Sequence, residues 1–304
     1  MSVNVGSLKQ PSNTIFIQVA AVYALLVSAI YAASRLNPND TVLFLTTSVL
    51  AWAIIGWCQF ALFNALHEGL HRRFGRPHRE GLAYALAAYP LGFDETYRQV
   101  HLDHHKYFGD AQRDPDYPNY GVFPTSKRAF LGRFLLNVCG WYALLQFLGL
   151  HQGGDAIPVD SAKAPAKKRP LLKLLGAQLL VLLLFSVTVG WIYYFWLWLV
   201  PLATFGKLFT STRAFCEHAS PDNEPTIRTI TGSYIGEKIF GVFCFHYHAE
   251  HHLYVGVPYN QLKQAHVLLE KTLFTANDEQ QPRYELYQRG YFQLLSKWFR
   301  ELPL

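Results

Sequence analysis

The stretch TVLFLTTSVLAWAIIGWCQFALFNALHEGLH, residues 41–71, carries no charge from Thr41 to Leu66 and then ends on His67 and His71. About 20 residues at a rise of 1.5 Å cross a hydrocarbon core of roughly 30 Å, so the run is long enough to span a bilayer. Its last turn presents two imidazoles on one helical face. Grease and metal-binding chemistry therefore meet at one point of the chain.

Composition agrees with a membrane. Of the 304 residues, 51% are hydrophobic and only 16% charged, against about a quarter charged in soluble domains, which argues against an ordinary soluble globule. The net charge of +6 comes from basic clusters lying between apolar runs. That pattern suits an anionic lipid surface and gives no reason to expect nucleic acid. Cys58, Cys139, Cys216 and Cys244 are far apart, with no CxxC pair, and read as packed, reduced thiols.

Working outward, TIFIQVAAVYALLVSAIYAA (14–33) is a second span. It is too long, and preceded by too little positive charge, for a cleaved leader. The uncharged run from Leu174 to Gly206 is too long for one span. Residues 67–129 hold nine Lys or Arg, KKR stands at 167–169, and Lys207 and Arg213 follow the run. Basic loops stay cytoplasmic, so an even number of crossings separates them. The expectation is an all-α integral, multi-pass membrane protein forming a single domain over 1–304, with spans at about 14–33, 42–66, 172–190 and 191–210. These make two hairpins, the second turning near GWIYYFW, under a cytoplasmic helical cap from 67–129 and 211–304 that holds a di-metal site. Residues 129–150, with Arg133, Asn137 and Gly140 at helical spacing, read as an amphipathic helix in the interface plane. Residues 80–93 are too short to cross and contain Pro90, so they read as a re-entrant or surface helix. Residues 151–170 read as an exposed linker.

Thirteen histidines are present, and eight fall in three boxes: HEGLH (His67, His71), HLDHH (His101, His104, His105) and HAEHH (His248, His251, His252). Chance would supply roughly 0.02 HxxHH matches in a chain of this composition, and two are present. Positions three and four apart share a helical face, so three faces can present eight imidazoles to one point. A structural zinc takes about four ligands, whereas two ions fit this count; imidazole suits iron, zinc or copper alike. His246 falls on the opposite side of its helix and is left out. His78, His151 and His266 have no partner at helical spacing and read as ordinary polar residues. Glu68, Asp103 and Glu250, inside the boxes, either orient imidazoles or face solvent.

With these boxes, the chain resembles the membrane fatty acid desaturase superfamily over roughly residues 40–270. GDAQRDPDYP after the second box is similar to an acidic stretch of several members, and HHLYVGVPYNQLKQAH to the close of bacterial acyl desaturases. The resemblance implies two iron ions, O2 as co-substrate, and His67, His71, His101, His104, His105, His248, His251 and His252 as ligands. It adds His218, in AFCEHAS thirty residues before His248, as a ninth.

An unactivated C–H bond yields to no acid, base or protein nucleophile, so the oxidant must come from the cofactor. The implied activity is an O2-dependent desaturase that places a double bond in a fatty acyl chain carried by lipid, coenzyme A or carrier protein. The apolar chain would enter a tunnel while its head stays at the cytoplasmic face. Relatives on the same scaffold include hydroxylases, carotenoid ketolases and alkene-forming fatty acid decarboxylases, and a non-catalytic membrane metal or haem protein is the remaining alternative. The sequence carries no flavin, haem or iron-sulfur motif, so an external electron donor such as ferredoxin is expected. The basic stretch Lys163 to Lys173 could steer it.

Overall fold

A computed structural model describes residues 7–37, 39–76, 79–148, 168–274 and 282–304. The chain is mostly helical. Among the described residues, four helices are long and apolar enough to cross a membrane: α1 (Thr14–Ser34), α2 (Thr41–Leu70) and, after the shorter α3 (Tyr97–Tyr107), α4 (Lys127–Val138) and α5 (Trp141–Phe147), the pair α6 (Lys168–Thr188) and α7 (Ile192–His218). The expected linker at 151–170 lies largely outside the described residues.

Asp40 starts α2, its carboxylate accepting from the Leu43 backbone N–H at 3.1 Å, which satisfies one of the free donors of the first turn. The first half of α2 exposes Val42 and Leu50 at 75% and 65%. Its second half, from Ile55 to Leu70, is mostly buried. Exposed leucines along α6 continue the apolar surface, as lipid-facing helices require.

α6 and α7 are joined through Val189–Trp191 on a left-handed Gly190 (φ +111°). The helix that carries the expected last span runs on past 210 to His218. Its polar end stays helical by facing inward: Arg213 Nε donates to Glu217 at 2.9 Å, and its guanidinium also reaches Asn64 of α2. Higher up, α2 and α7 touch at backbone distance. A Cβ on Gly56 would meet Phe205 Cβ at 2.5 Å and Gly206 N at 2.7 Å. Trp52 Nε1 and Gln59 Nε2 donate across to the carbonyls of Trp196 (2.8 Å) and Trp198 (2.9 Å).

Residues 80–91 form a short, irregular helical segment whose Ala83, Tyr84, Ala87, Ala88 and Leu91 are buried. The 129–150 region is corrected in two ways. It is broken into α4 and α5 at Cys139 and Gly140, and its polar residues point inward. Arg133 lies over the Phe215 ring at 4.4 Å, and Asn137 reaches Ser211, while Leu131 and Leu135 are exposed.

The all-α expectation is corrected by a two-stranded parallel sheet, β1 (Thr226–Ile230) with β2 (Arg283–Tyr287), Thr226 paired with Arg283. The β-branched TIRTI and the aromatic RYELY suit a pleated surface. Between the strands lie α8 (His248–Leu253) and α9 (Leu262–Leu273), and α10 (Tyr291–Glu301) closes the chain. Buried Arg228 ties β1 to the end of α7, donating to the carbonyls of Cys216 (2.6 Å) and Ala219 (3.0 Å). Thr229 holds α8, its hydroxyl taking the Ala249 N–H at 3.1 Å and donating to Glu250 at 2.5 Å. Cys58 and Cys216 are buried as expected, Cys244 is partly buried, and Cys139 is exposed instead.

Candidate metal centre

All nine predicted histidines lie at helix ends that converge: His67 and His71 close α2, His218 ends α7, and α3 and α8 carry three each. They do not meet at a single point. His67, His71, His101, His105 and His251 form one group whose ligand-capable atoms lie within 4.8 Å of one another, and His104, His218 and His252 form a second. His248 joins the second through Nε2, 2.9 Å from Nε2 of His218. The groups are neighbours, with the rings of His105 and His252 4.2 Å apart.

Helical phase explains the division. The i,i+4 pairs His67/His71 and His101/His105 serve the first group, and the i,i+4 pair His248/His252 serves the second. The middle member of each HxxHH box, His104 or His251, is rotated out and crosses to the other group. Each HxxHH box thereby supplies both groups, whereas the first box supplies only one.

In the first group, Nε2 of His101 lies 2.7, 2.8 and 3.0 Å from Nε2 of His67, His71 and His105, and His251 Nε2 lies 3.2 Å from His105. Burial first, then Arg98 and Arg73, push His71 down to about 3. Burial and neighbouring imidazoles hold His101, His105, His251, His248 and His252 well below the ordinary histidine range. The rings are therefore neutral, the state in which imidazole offers a lone pair. His252 Nε2 is buried without a hydrogen-bond partner. Such a donor set fits metal ions.

His104 differs. Burial pulls it down, but the hydrogen bond to Asp114 and the charges of Asp116 and Asp114 outweigh this and raise it. Its Nδ1 donates to Asp114 Oδ1 at 2.8 Å, leaving Nε2 to face the group. Asp114 also accepts from Gly109 N (3.2 Å), Asp116 N (2.9 Å) and the Tyr120 hydroxyl. On the other side, Glu217 Oε2 lies 3.5 Å from Nδ1 of His248. Asp114 and Glu217 thus stand behind rings, where partners of metal-bound imidazoles stand.

The carboxylates inside the boxes behave otherwise. Glu68, Asp103 and Glu250 are buried rather than solvent-facing. Among the described residues they bond to Tyr259 N, Gln99, Thr229 and His266, not to the nine rings. His266, expected to be an ordinary polar residue, is mostly buried with Nδ1 2.6 Å from Glu250. His246 is buried away from both groups, Nδ1 3.3 Å from Gly241 O. His78 and His151 lie outside the described residues, as do 163–167 of the Lys163–Lys173 stretch, whose Lys173 binds Glu95 at 2.6 Å. Asp114 and Glu217 escaped the sequence reading. Their signals were the acidic stretch after the second box and the acid immediately before His218.

Two adjoining cavities share part of their walls, and the inner one reaches the histidines. The inner one, about 100 Å³, abuts His67, His101, His104, His218 and His248. The outer one, about 940 Å³, shares Phe60, Phe63 and Tyr97 with it and continues past Leu91, Phe93 and Leu199.

Among known proteins, a dihydrorhizobitoxine desaturase of Bradyrhizobium elkanii is 27% identical over 235 residues, covering 71% of this chain and 66% of the relative. The chain thus spans just under two thirds of the length of the curated relative it matches. The family model for fatty acid desaturases matches residues 45–284. With well over half of its length matched, the chain belongs to the fatty acid desaturase family.

Proposed function

We propose that the nine histidines hold two iron ions and that the protein is an O2-dependent desaturase placing a double bond in an acyl chain. The observation that carries this reading is the pair of adjoining all-imidazole groups at one end of a mixed-lined cavity whose outer part is bordered by Leu91, Phe93, Leu144, Leu199 and Leu202. His67, His71, His101, His105 and His251 would hold one ion, and His104, His218, His248 and His252 the other. When bound, the ions supply O2 activation for removal of two hydrogens. The reaction balances as O2, one CH2–CH2 unit, two electrons and two protons giving one CH=CH unit and two waters. The two electrons come from an external donor such as a ferredoxin.

The protein's own residues do the positioning. Asp114 keeps the His104 proton on Nδ1, while Nδ1 of His248 lies between Arg213 Nη2 at 3.3 Å and Glu217 Oε2 at 3.5 Å, which fix the ring's orientation. Phe60, Phe63 and Tyr97 narrow the passage between the chambers and keep water from the reacting carbons. The four long helices form two hairpins, and the basic loops put the histidines on the cytoplasmic side.

Protein purified in lipid nanodiscs and supplied with reductase, ferredoxin and acyl substrates tests this. Two irons per chain, O2 uptake and a product lacking two hydrogens are expected. One zinc or one haem per chain, or a product that has gained oxygen, overturns the proposal.

A further inference from the structure

Tyr120 stands directly against the four-histidine group. Its ring centre lies 5.0 Å from that of His218 and 6.3 Å from that of His104, and it stacks on Phe108 at 5.4 Å. It is buried, yet it lines neither the inner nor the outer cavity. Tyr120 therefore meets the group away from the passage that would carry an acyl chain, and substrate binding does not explain it. Packing does not call for its hydroxyl either. Phenylalanine would fill the same space, and a buried hydroxyl is costly unless it is bonded.

The hydroxyl donates to Asp114 Oδ2, while the other oxygen of that carboxylate takes the His104 proton. The Gly109 N–H donates to the phenolic oxygen at 3.0 Å. This is what a phenol needs in order to give up an electron: a base at its proton, a donor to hold the oxygen left behind, and negative charge nearby, which makes the electron easier to remove. An oxidised phenol is a far stronger acid than any carboxylic acid, so Asp114 takes the proton although its other sites are occupied. A way out lies on the same helical turn. Tyr117, three residues back, has its ring centre 5.7 Å from that of Tyr120 and is partly exposed.

We propose that Tyr120 and Tyr117 form a redox relay that discharges the metal centre when O2 has oxidised it with no acyl chain in place. This rests on the desaturase reading, which supplies the oxidant. The Tyr120 O–H bond breaks, its electron passing to the oxidised ions by way of His218 or His104 and its proton moving along the existing hydrogen bond to Asp114. Tyr117 then gives an electron to the Tyr120 radical, which takes its proton back from Asp114, while the proton of Tyr117 leaves to solvent. One electron from the external donor and one proton from solvent restore Tyr117. Two electrons enter the ions before O2 reacts and two more follow through the tyrosines, so that O2, four electrons and four protons give two waters. With an acyl chain bound, its CH2–CH2 unit supplies the second pair of electrons and the relay stays at rest. Without the relay, the oxidant is left to attack the imidazoles around it.

The test uses iron-loaded protein in nanodiscs, reduced, exposed to O2 without substrate and frozen for electron paramagnetic resonance. A tyrosyl radical is expected. Its signal should narrow when the protein carries ring-deuterated tyrosine, vanish in Tyr120→Phe and last longer in Tyr117→Phe, where nothing refills Tyr120. Peptide mass mapping of the wild type after repeated O2 cycles needs no variant, and decides the matter if Tyr120→Phe sheds its iron: added oxygen is expected at Tyr120 and Tyr117 ahead of the other tyrosines. No radical in protein that holds two irons and takes up O2, an unchanged radical in Tyr120→Phe, an unchanged lifetime in Tyr117→Phe, or oxidation spread evenly over the tyrosines overturns the proposal. Iron content and product from acyl substrate, measured on the same preparations, judge the desaturase reading. Desaturation without a radical keeps the enzyme and removes the relay, whereas one zinc or one haem per chain removes both.

Discussion

Replacing Asp114 by Asn should weaken one metal position and spare the other. The side chain is fully buried, and four donors converge on it: His104 Nδ1 and Asp116 N at Oδ1, Gly109 N and the Tyr120 hydroxyl at Oδ2. An amide keeps one acceptor oxygen. With that oxygen on the His104 side, the NH2 faces the Gly109 N–H and leaves it unsatisfied, while Tyr120 can rotate its proton away and accept. A buried unsatisfied donor costs about 1–3 kcal/mol, and exchanging a charged for a neutral acceptor at His104 costs about 1 kcal/mol more. Partners behind metal ligands are worth about 10–100-fold in affinity, or roughly 1.4–2.8 kcal/mol. Metal analysis during stepwise chelator competition should therefore show iron leaving the His104/His218/His248/His252 position about tenfold to a hundredfold more readily, with the five-histidine position unchanged. Tyr120→Phe, which leaves the carboxylate in place, should do less. Asp114→Asn protein that retains both ions as wild type does, or sheds both equally, would refute the assignment of Asp114 to His104 and one group.

His251→Ala should empty the five-histidine position and abolish turnover, while His246→Ala, whose ring meets Gly241 O at 3.3 Å and the Tyr247 ring at 4.2 Å, should keep its iron and lose about 1 kcal/mol of stability; equal iron loss in the two would show that the helical phase is misassigned. Gly56→Ala drives a Cβ to 2.5 Å from Phe205 Cβ. It should lower stability by about 1–3 kcal/mol and reduce iron, because α2 and α7 carry His67 and His218; thermal unfolding and metal content check this, and unchanged values contradict the close packing. The metal-free protein should lose stability as pH falls below about 6.5. His71 binds its proton near 3 when folded and near 6.5 when unfolded, so over that interval the unfolded chain takes up protons that the folded one refuses, at about 1.4 kcal/mol per pH unit for each such ring. His104, shifted upward, works in the opposite direction. Denaturation midpoints that stay flat between pH 6.5 and 4.5 would contradict the neutral cluster.

The boxes were legible because helix geometry alone brings i, i+3 and i+4 together, and long uncharged runs need no tertiary context to mark apolar helices. The division into two groups was hidden. It depends on where α3 and α8 approach each other, which rotates His104 and His251 away from their sequence neighbours. Asp114 was hidden for a similar reason: its ten-residue separation from His104 matches no helical period, and a turn through Gly109 closes the distance. Arg133 and Asn137 misled because polarity at helical spacing normally marks a solvent face. Here that face meets Phe215 and Ser211, and the leucines opposite are the exposed surface. In a chain surrounded by lipid the usual inside-out rule of helix burial can invert wherever a polar partner waits in the protein.

The charges around the two groups are also unequal, and that follows from where the chain could place carboxylates. No ring in either group carries a negative charge, so nothing in the inner layer offsets the charge of an ion. Behind the second group stand three acids, Asp114, Asp116 and Glu217, against one base, Arg213, whose Nη2 lies 3.3 Å from Nδ1 of His248. Behind the first stand Arg73 and Arg98, whose charges help to depress His71, with Arg98 anchored to Leu70 O at 2.9 Å. Coulomb attraction between buried groups is only weakly screened. A cation is therefore held more favourably at the second position and less so at the first, where five imidazoles in place of four supply an additional donor. Ligand number and outer charge compensate each other, which is why removing a carboxylate at Asp114 should unbalance one position without disturbing its neighbour.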